Sequence, residues 1–502
     1  MTYGNAQQKA EHTITASELK HHLLHIASDS LQGRNFSTPV QGLEMAAEYL
    51  KQEAKKIGLK AGVNDYFQEF ELKATKPRHN KCWLSVYGRK NKIVHRTDSI
   101  VALNGTKSID SLLGEAVFAG FGWKNDESGY DDFNSIDVKD KIVIYAAGRP
   151  QTFFDKEKSR WNNNLEREKM KSVFAMGATT VIIITNPNDK KNSFYTRAKR
   201  WSNRLNYTIN KEDKGDENVF FIITPQVADI VFGEQGKTEE LLTSIAKKNK
   251  PKSFPVKRKK IEVKVQHETD SVKTKNVIAI VKGSDPKLKD ECVVFMAHYD
   301  HLGMSKKGEI FNGADDNGSG VVALLEIAEA FAKLEQKPDR SIVFAWVTAE
   351  EIGLKGSEYY TQHPVFPLEN TIATINLDMV GRVYEPRDSI WRKSPKLVKN
   401  FDGIYTLTSN FYPELETITD SLCTELGLVP DKTLPDYFFR SSDHHHFHSK
   451  GVPIVNLATG YHADYHKVSD EVSKINFEKI KRVSHLAYLI GLELANKKRK
   501  IQ

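Results

Sequence analysis

The run VVFMAHYDHLG (293–303) stays apolar until it meets His298, Asp300 and His301, three polar groups in four positions. Side chains on a strand repeat every two residues, so His298 and Asp300 share a face. A metal-bound imidazole commonly donates its other ring N–H to a carboxylate, which fixes the tautomer. His-x-Asp at a strand end supplies that pair. The competing reading is a satisfied core histidine beside a surface aspartate.

Similar groups end other apolar runs. GADDNG (313–318) places Asp315 and Asp316 where an apolar helix opens. An aspartate there is commonly a cap. A bridging role would require an inward-turned carboxylate, for instance through a non-proline cis peptide costing about 3–4 kcal/mol. Glu350 and Glu351 follow IVFAWVTA, and two adjacent acids behind a buried strand need a compensating charge. Neighbours on an extended chain point opposite ways, so one can ligate a cation while the other faces a water. Asp378 is a lone carboxylate in TINLDMVG, and His466 lies in DYHKVSDE with His462 nearby. SSDHHHFHSKG (441–451) adds four histidines, read here as packing and supporting groups. The set has no thiolate and suits zinc, with manganese or cobalt as alternatives. Two histidines and three carboxylates, one shared, can hold two ions about 3.5–4 Å apart, an arrangement used for hydrolysis. Tyr437, His444 and Tyr461 are candidates to bind substrate or stabilise an oxyanion.

These residues need a scaffold that gathers strand ends. From residue 266 the pattern is strand–helix alternation, with strands such as ECVVFMAH and RSIVFAWVTA apolar throughout, as in a sheet covered on both faces. Ligands of open α/β sheets bind outside the carboxyl ends of the strands. The expected architecture is α/β: a three-layer α/β/α catalytic domain around a mostly parallel sheet, over 266–502. Residues 1–94 read as its helical N-terminal part. There TASE (15–18) has capping-box spacing, and Leu43, Ala46, Ala47, Leu50, Ala54 and Ile57 mark one stripe before Gly58. Residues 95–265 read as a smaller inserted β-rich unit. NDKKNSFYTRAKRWSNR is a charged loop in this reading, EKMKSVFAMGA a helix, and AKKNKPKSFPVKRKK a closing linker.

Bulk properties narrow the classes. At 502 residues and 39% hydrophobic content the chain can fill more than one core. No run approaches the ~20 apolar residues of a membrane span, and the first residues lack a secretory signal's apolar core. The net charge of +8 is dispersed among many acids, which argues against nucleic-acid binding. Cys82, Cys292 and Cys423 are too far apart for a disulfide framework or zinc ribbon.

AHYDHLG, NGADDNGSGVVALLEIA, TAEEIGLKGSEYY, INLDMVGR, SSDHHHFHSKGVPIV and YHKVSDE, in this order across 275–495, resemble the M28 family of zinc metallopeptidases. DVKDKIVIYAAG and MKSVFAMGATTVIIIT more loosely resemble a protease-associated (PA) domain. The resemblance implies two zinc ions bridged by Asp315, with His298 and Asp378 completing one site and Glu351 and His466 the other. It makes Glu350 the general base and has Asp300 orient His298. It implies peptide substrates and, through the PA likeness, a periplasmic or secreted setting. An aminopeptidase needs a carboxylate for the substrate amine, a role Asp378 fits. A carboxypeptidase would use an arginine, with Arg382 and Arg440 nearby in sequence. A non-catalytic peptide-binding protein of the same fold would have lost the base or a ligand, and none is lost here.

Overall fold

The computed structural model describes residues 12–36, 41–103, 108–155, 161–188, 193–209, 218–390, 397–408 and 412–501. The chain forms two compact units, Met1–Leu72 with Val272–Gln502, and Lys73–Ser271.

The first unit opens with helix α1 (Ala16–Ile26), capped by Thr15, whose hydroxyl accepts the Glu18 N–H at 3.1 Å. Helix α2 (Gln41–Lys56) buries Leu43, Ala46, Ala47, Leu50 and Ala54, the stripe read from its periodicity. It stops before Gly58, whose φ of 81° no β-carbon-bearing residue adopts readily. The sheet is formed by β1 (Phe67–Pro77), β2 (His267–Val281), β3 (Cys292–His298), β4 (Ser341–Val347), β5 (Thr371–Leu377), β6 (Gly403–Thr408), β7 (Val429–Asp431) and β8 (Ile454–Ala458). Their spatial order is β1-β2-β4-β3-β5-β8-β6-β7. The centre, β4-β3-β5-β8, is parallel, and β2 and β6 join it antiparallel.

Every residue of β3, β4 and β5 is buried, which explains their unbroken apolar character. Helices α3 (Gly320–Ala332) and α7 (Phe477–Asn496) cover one face: Phe331 packs on Phe295, Phe344 and Tyr488. Helices α4 (Lys355–Gln362) and α6 (His444–His448) cover the other through Tyr360 and Phe447, which share a core with Val294, Met296 and Val343. Each such side chain contributes about 1.5–3 kcal/mol by leaving water. The unit is thus a three-layer α/β/α sandwich. Helix α5 (Pro413–Glu425) lies between β6 and β7 in the chain.

The second unit has a six-stranded sheet in the order 253–255, 116–119, 142–146, 180–184, 219–223, 100–102, with its four inner strands parallel. A four-stranded antiparallel sheet joins 93–97, 83–87, 260–265 and 109–114. Those pairings move the boundaries read from sequence texture. The unit starts at Lys73 rather than 95, because Trp83–Tyr87 pairs with Lys260–Val265. Its end moves from 265 to Ser271, and the expected linker contains Ser253–Pro255, which pairs with Ala116–Ala119. The expected charged loop is partly the helix Ser193–Ser202, with Phe194 and Ala198 buried; its residues 189–192 lie outside the described set. The helix expected in EKMKSVFAMGA is present as Asn163–Ala175.

Candidate metal centre

Five chain segments meet at the carboxyl rim of the parallel strands. His298 is the last residue of β3, Glu350 and Glu351 lie just past β4, and Asp378 follows β5. The fourth segment, Ala314–Ser319, leads into α3, and its Asp316–Asn317 peptide is cis. Left-handed backbone at Ala349 (φ 60°) and Met379 (φ 57°) turns the chain beside these acids. His466, also left-handed at φ 56°, comes from the loop before α7.

The carboxylate of Asp316 stands at the middle. Its Oδ1 lies 3.6 Å from His298 Nε2, which is 3.5 Å from Asp378 Oδ1. Its Oδ2 lies 3.1 Å from His466 Nε2 and 3.8 Å from His301 Nδ1. Glu351 closes this second group, with Oε1 2.9 Å from His301 Nδ1 and Oε2 3.5 Å from His466 Nε2. His298, Asp316 and Asp378 each offer a ligand atom within 4.8 Å of the others, and so do His301, Asp316 and Glu351. One carboxylate therefore faces two donor sets from its two oxygens.

The structure replaces Asp315 with Asp316 in this position. Asp315 turns the other way: its Oδ1 accepts the Gly381 N–H at 2.7 Å, and its Oδ2 lies 3.3 Å from His462 Nε2. His462 takes the Arg382 guanidinium N–H on Nδ1 at 3.0 Å. The N–H groups of both Asp315 and Asp316 donate to Asp470 Oδ2 at 3.0 and 3.1 Å. Asp315 thus braces the segment that presents Asp316.

Asp300 also departs from its expected geometry. His298 Nδ1 donates to the Asp300 carbonyl at 3.1 Å and is 3.8 Å from its carboxylate. The carboxylate instead accepts the N–H groups of Glu350 (3.1 Å) and Glu351 (3.3 Å), fixing both acids. Buried Arg34 supports the same loops, donating to the carbonyls of Tyr299, Asn312 and Gly313 and, on its own side, Ile26.

Beside the rim is a cleft lined by Glu350, Asp378, Leu434, Phe438 and Tyr461. Of the three residues expected to meet substrate, Tyr461 lines the cleft. Tyr437 does not: it is 55% exposed, and its neighbour Phe438 turns inward instead. His444 does not either. Its Nε2 donates to the Phe438 carbonyl at 2.8 Å, so the ring holds the 436–440 turn, and burial lowers its pKa to about 4. Sequence reasoning gave no role to Tyr465, which lines the cleft and stacks on His466 with centroids 3.8 Å apart. It also missed Asp443, buried and accepting the Ser357 hydroxyl at 2.6 Å, with burial raising its pKa to about 7.

The electrostatics show what is needed to complete the site. Burial pushes Glu350 and Glu351 well above the usual carboxylate range, with neighbouring acids adding to it. Burial pushes Asp316 the same way, but His301, His466 and His298 outweigh it and hold its carboxyl below that range. Asp316 Oδ2, Glu351 Oε1, Asp378 Oδ1 and both His301 nitrogens are buried without a hydrogen-bond partner. Such atoms are costly unless something binds them. Imidazole nitrogens and carboxylate oxygens are the donors zinc takes, so the residues fit a divalent metal.

Residues 276–490 match peptidase family M28. Over 235 residues, 45% of this chain, the sequence is 30% identical to aminopeptidase YwaD of Bacillus subtilis (strain 168), covering 46% of that protein. Aminopeptidase Y of Saccharomyces cerevisiae (strain ATCC 204508 / S288c) is 28% identical over 222 residues, 41% of this chain and 36% of that protein. The matches span less than half the length of these curated relatives. A structure described as an aminopeptidase from Aneurinibacillus sp. strain AM-1 shares the fold, with a TM-score of 0.56 at 19% identity over 99% of this chain and 97% of that one. The ordered motifs and the rim of histidines and acids all fall within the stretch, residues 276–490, that matches peptidase family M28.

Proposed function

We propose that this chain is a two-metal aminopeptidase that hydrolyses the first peptide bond of its substrates. The observation that carries this reading is the Asp316 carboxylate, placed between His298–Asp378 and His301–Glu351–His466 with Glu350 beside it on the cleft. Asp316 would be shared by two ions, His298 and Asp378 would complete one site, and Glu351 and His466 the other. His301 is a further donor within reach of the second. When bound, two zinc ions supply a water of lowered pKa and an electrophile for the scissile carbonyl. Glu350 takes the proton from the attacking water on its carboxylate and returns it to the leaving amine. Asp300 keeps Glu350 in place through its N–H. Asp378 is the acid on the cleft wall that can hold a substrate's terminal ammonium. Tyr461, which also lines the cleft, can donate to the developing oxyanion. Leu434, Phe438 and the Tyr461 ring favour an apolar first residue.

The arginines weigh against carboxypeptidase chemistry. Arg382 is buried and bound to His462 and to Asp464 at 3.1 Å, while Arg440 is exposed. Neither lines the cleft, where a substrate carboxylate would need to be gripped. The test is a panel of aminoacyl-anilides, free peptides and N-acetylated peptides, assayed before and after chelation and with zinc restored. Release of N-terminal residues, lost on chelation and recovered with zinc, is the expected result. Cleavage confined to N-blocked peptides overturns the aminopeptidase reading.

A further inference from the structure

Helices α1 and α3 bring a second mixed set of donors together, away from the cleft. Glu18 and His22 are four residues apart on α1 and so share a helical face. Glu326 meets them from α3, and each of the three offers a ligand atom within 4.8 Å of the other two. His22 Nδ1 is 2.6 Å from the Tyr49 hydroxyl, which directs Nε2 at Glu326 Oε1, 3.5 Å away. Glu326 is 1% exposed, yet its Oε1 accepts no hydrogen bond.

The start of α1 supplies an independent sign. In a closed capping box the glutamate of T-x-x-E takes the threonine N–H. Here the Thr15 N–H turns to Glu326 Oε2 at 3.4 Å, so the return half is made from α3 and the Glu18 carboxylate stands beside His22.

We propose that Glu18, His22 and Glu326 form a divalent-cation site separate from the catalytic metals, with Tyr49 bracing the imidazole. One imidazole and two carboxylates suit zinc, and also manganese or cobalt. Exposed Glu18 gives the ion an entry path and leaves its remaining positions to water. None of the three residues lines the cleft, so the ion is structural. It ties α1 to α3, the helix whose leading segment presents Asp316.

The test titrates Zn²⁺ into chelator-stripped full-length protein and counts retained ions by mass spectrometry after desalting. Wild type retains one equivalent more than His22→Gln or Glu326→Gln, and zinc raises its melting temperature further than theirs. Their peptide hydrolysis at saturating zinc stays within twofold of wild type. Glu18→Gln, a surface change that leaves the buried pair intact, weakens the last equivalent at least tenfold. An unaltered zinc isotherm for Glu18→Gln overturns the proposal even if the buried variants fail to fold, and so do equal ion counts in all four proteins.

Discussion

Each unit buries charge near the end of a parallel strand, but the two treat that charge differently. In the insert, Ile142–Ala146 runs out into Ala147 and Gly148, and the charges there form an ion pair. Lys169 pairs with Glu166 at 3.0 Å and donates to the carbonyls of Ala146 and Gly148, while Glu166 accepts the Gly148 N–H at 2.8 Å. In the first unit, β3, β4 and β5 run out into His298, Glu350–Glu351 and Asp378, whose acceptors face one another across Asp316. Two similar scaffolds thus end in opposite ways. A buried charge closed by its own backbone is architecture, and a buried surplus of acceptors fits a cation.

That contrast breaks most severely at Asp316. Asp316→Ala removes the carboxylate common to both donor sets, and the purified protein is expected to lose metal by elemental analysis and activity to background. Asp315→Ala, one residue away, removes only a brace; metal affinity falls about 10–100-fold, and excess zinc restores activity. Equal losses in both would show that the two aspartates are not divided in role. Glu350→Gln separates chemistry from binding: kcat falls about 10²–10⁴-fold while the zinc content stays at the wild-type value.

In the insert, Lys169→Met leaves Glu166 buried without its cation, at about 3–5 kcal/mol by urea unfolding. Adding Glu166→Leu recovers most of that loss, because the pair serves no ligand. The smallest expected effect is on pH dependence. Burial raises the Asp132 carboxyl to about 6, against the N–H groups of Phe121 and Trp123 and the Tyr130 hydroxyl that favour its anion. A carboxyl raised above its unfolded value of about 3.9 favours folding fully below that pH, and the contribution is lost as pH rises through 6. Hydrogen exchange of the insert amides in the full-length protein, corrected for intrinsic rates, is expected to show roughly 1–3 kcal/mol lost between pH 4 and 7. Asp132→Asn flattens that slope.

The sequence made the scaffold legible because its signals are local. Unbroken apolar strands give a sheet covered on both faces, and the stripe of α2 gives a packed helix. His298, Glu350, Glu351 and Asp378 were readable for the same reason, since each ends or follows a regular strand. The errors fall where the backbone is irregular. Asp316 has φ −100° and ψ 98° within a distorted turn, so neither strand nor helix periodicity decides which of two adjacent aspartates faces inward. His301 sat in plain view, but its role depends on Glu351, fifty residues on. The four histidines after Asp443 stand out by number, whereas Asp443 itself is buried and feels the charges of His298 and Asp378. The start of the insert is not legible locally, because Trp83–Tyr87 and Ile93–Thr97 declare themselves only through their strand partners.

Arg34 lies more than two hundred residues before the stretch that matches the family, yet its guanidinium clasps Tyr299, Asn312 and Gly313 around the loops that carry the site. A recombinant fragment trimmed to the recognisable portion would therefore discard one of the clamps that hold its own active loops. Anyone choosing cloning boundaries for this protein should keep the leading helices, because the contacts that hold the rim reach beyond the part that similarity outlines.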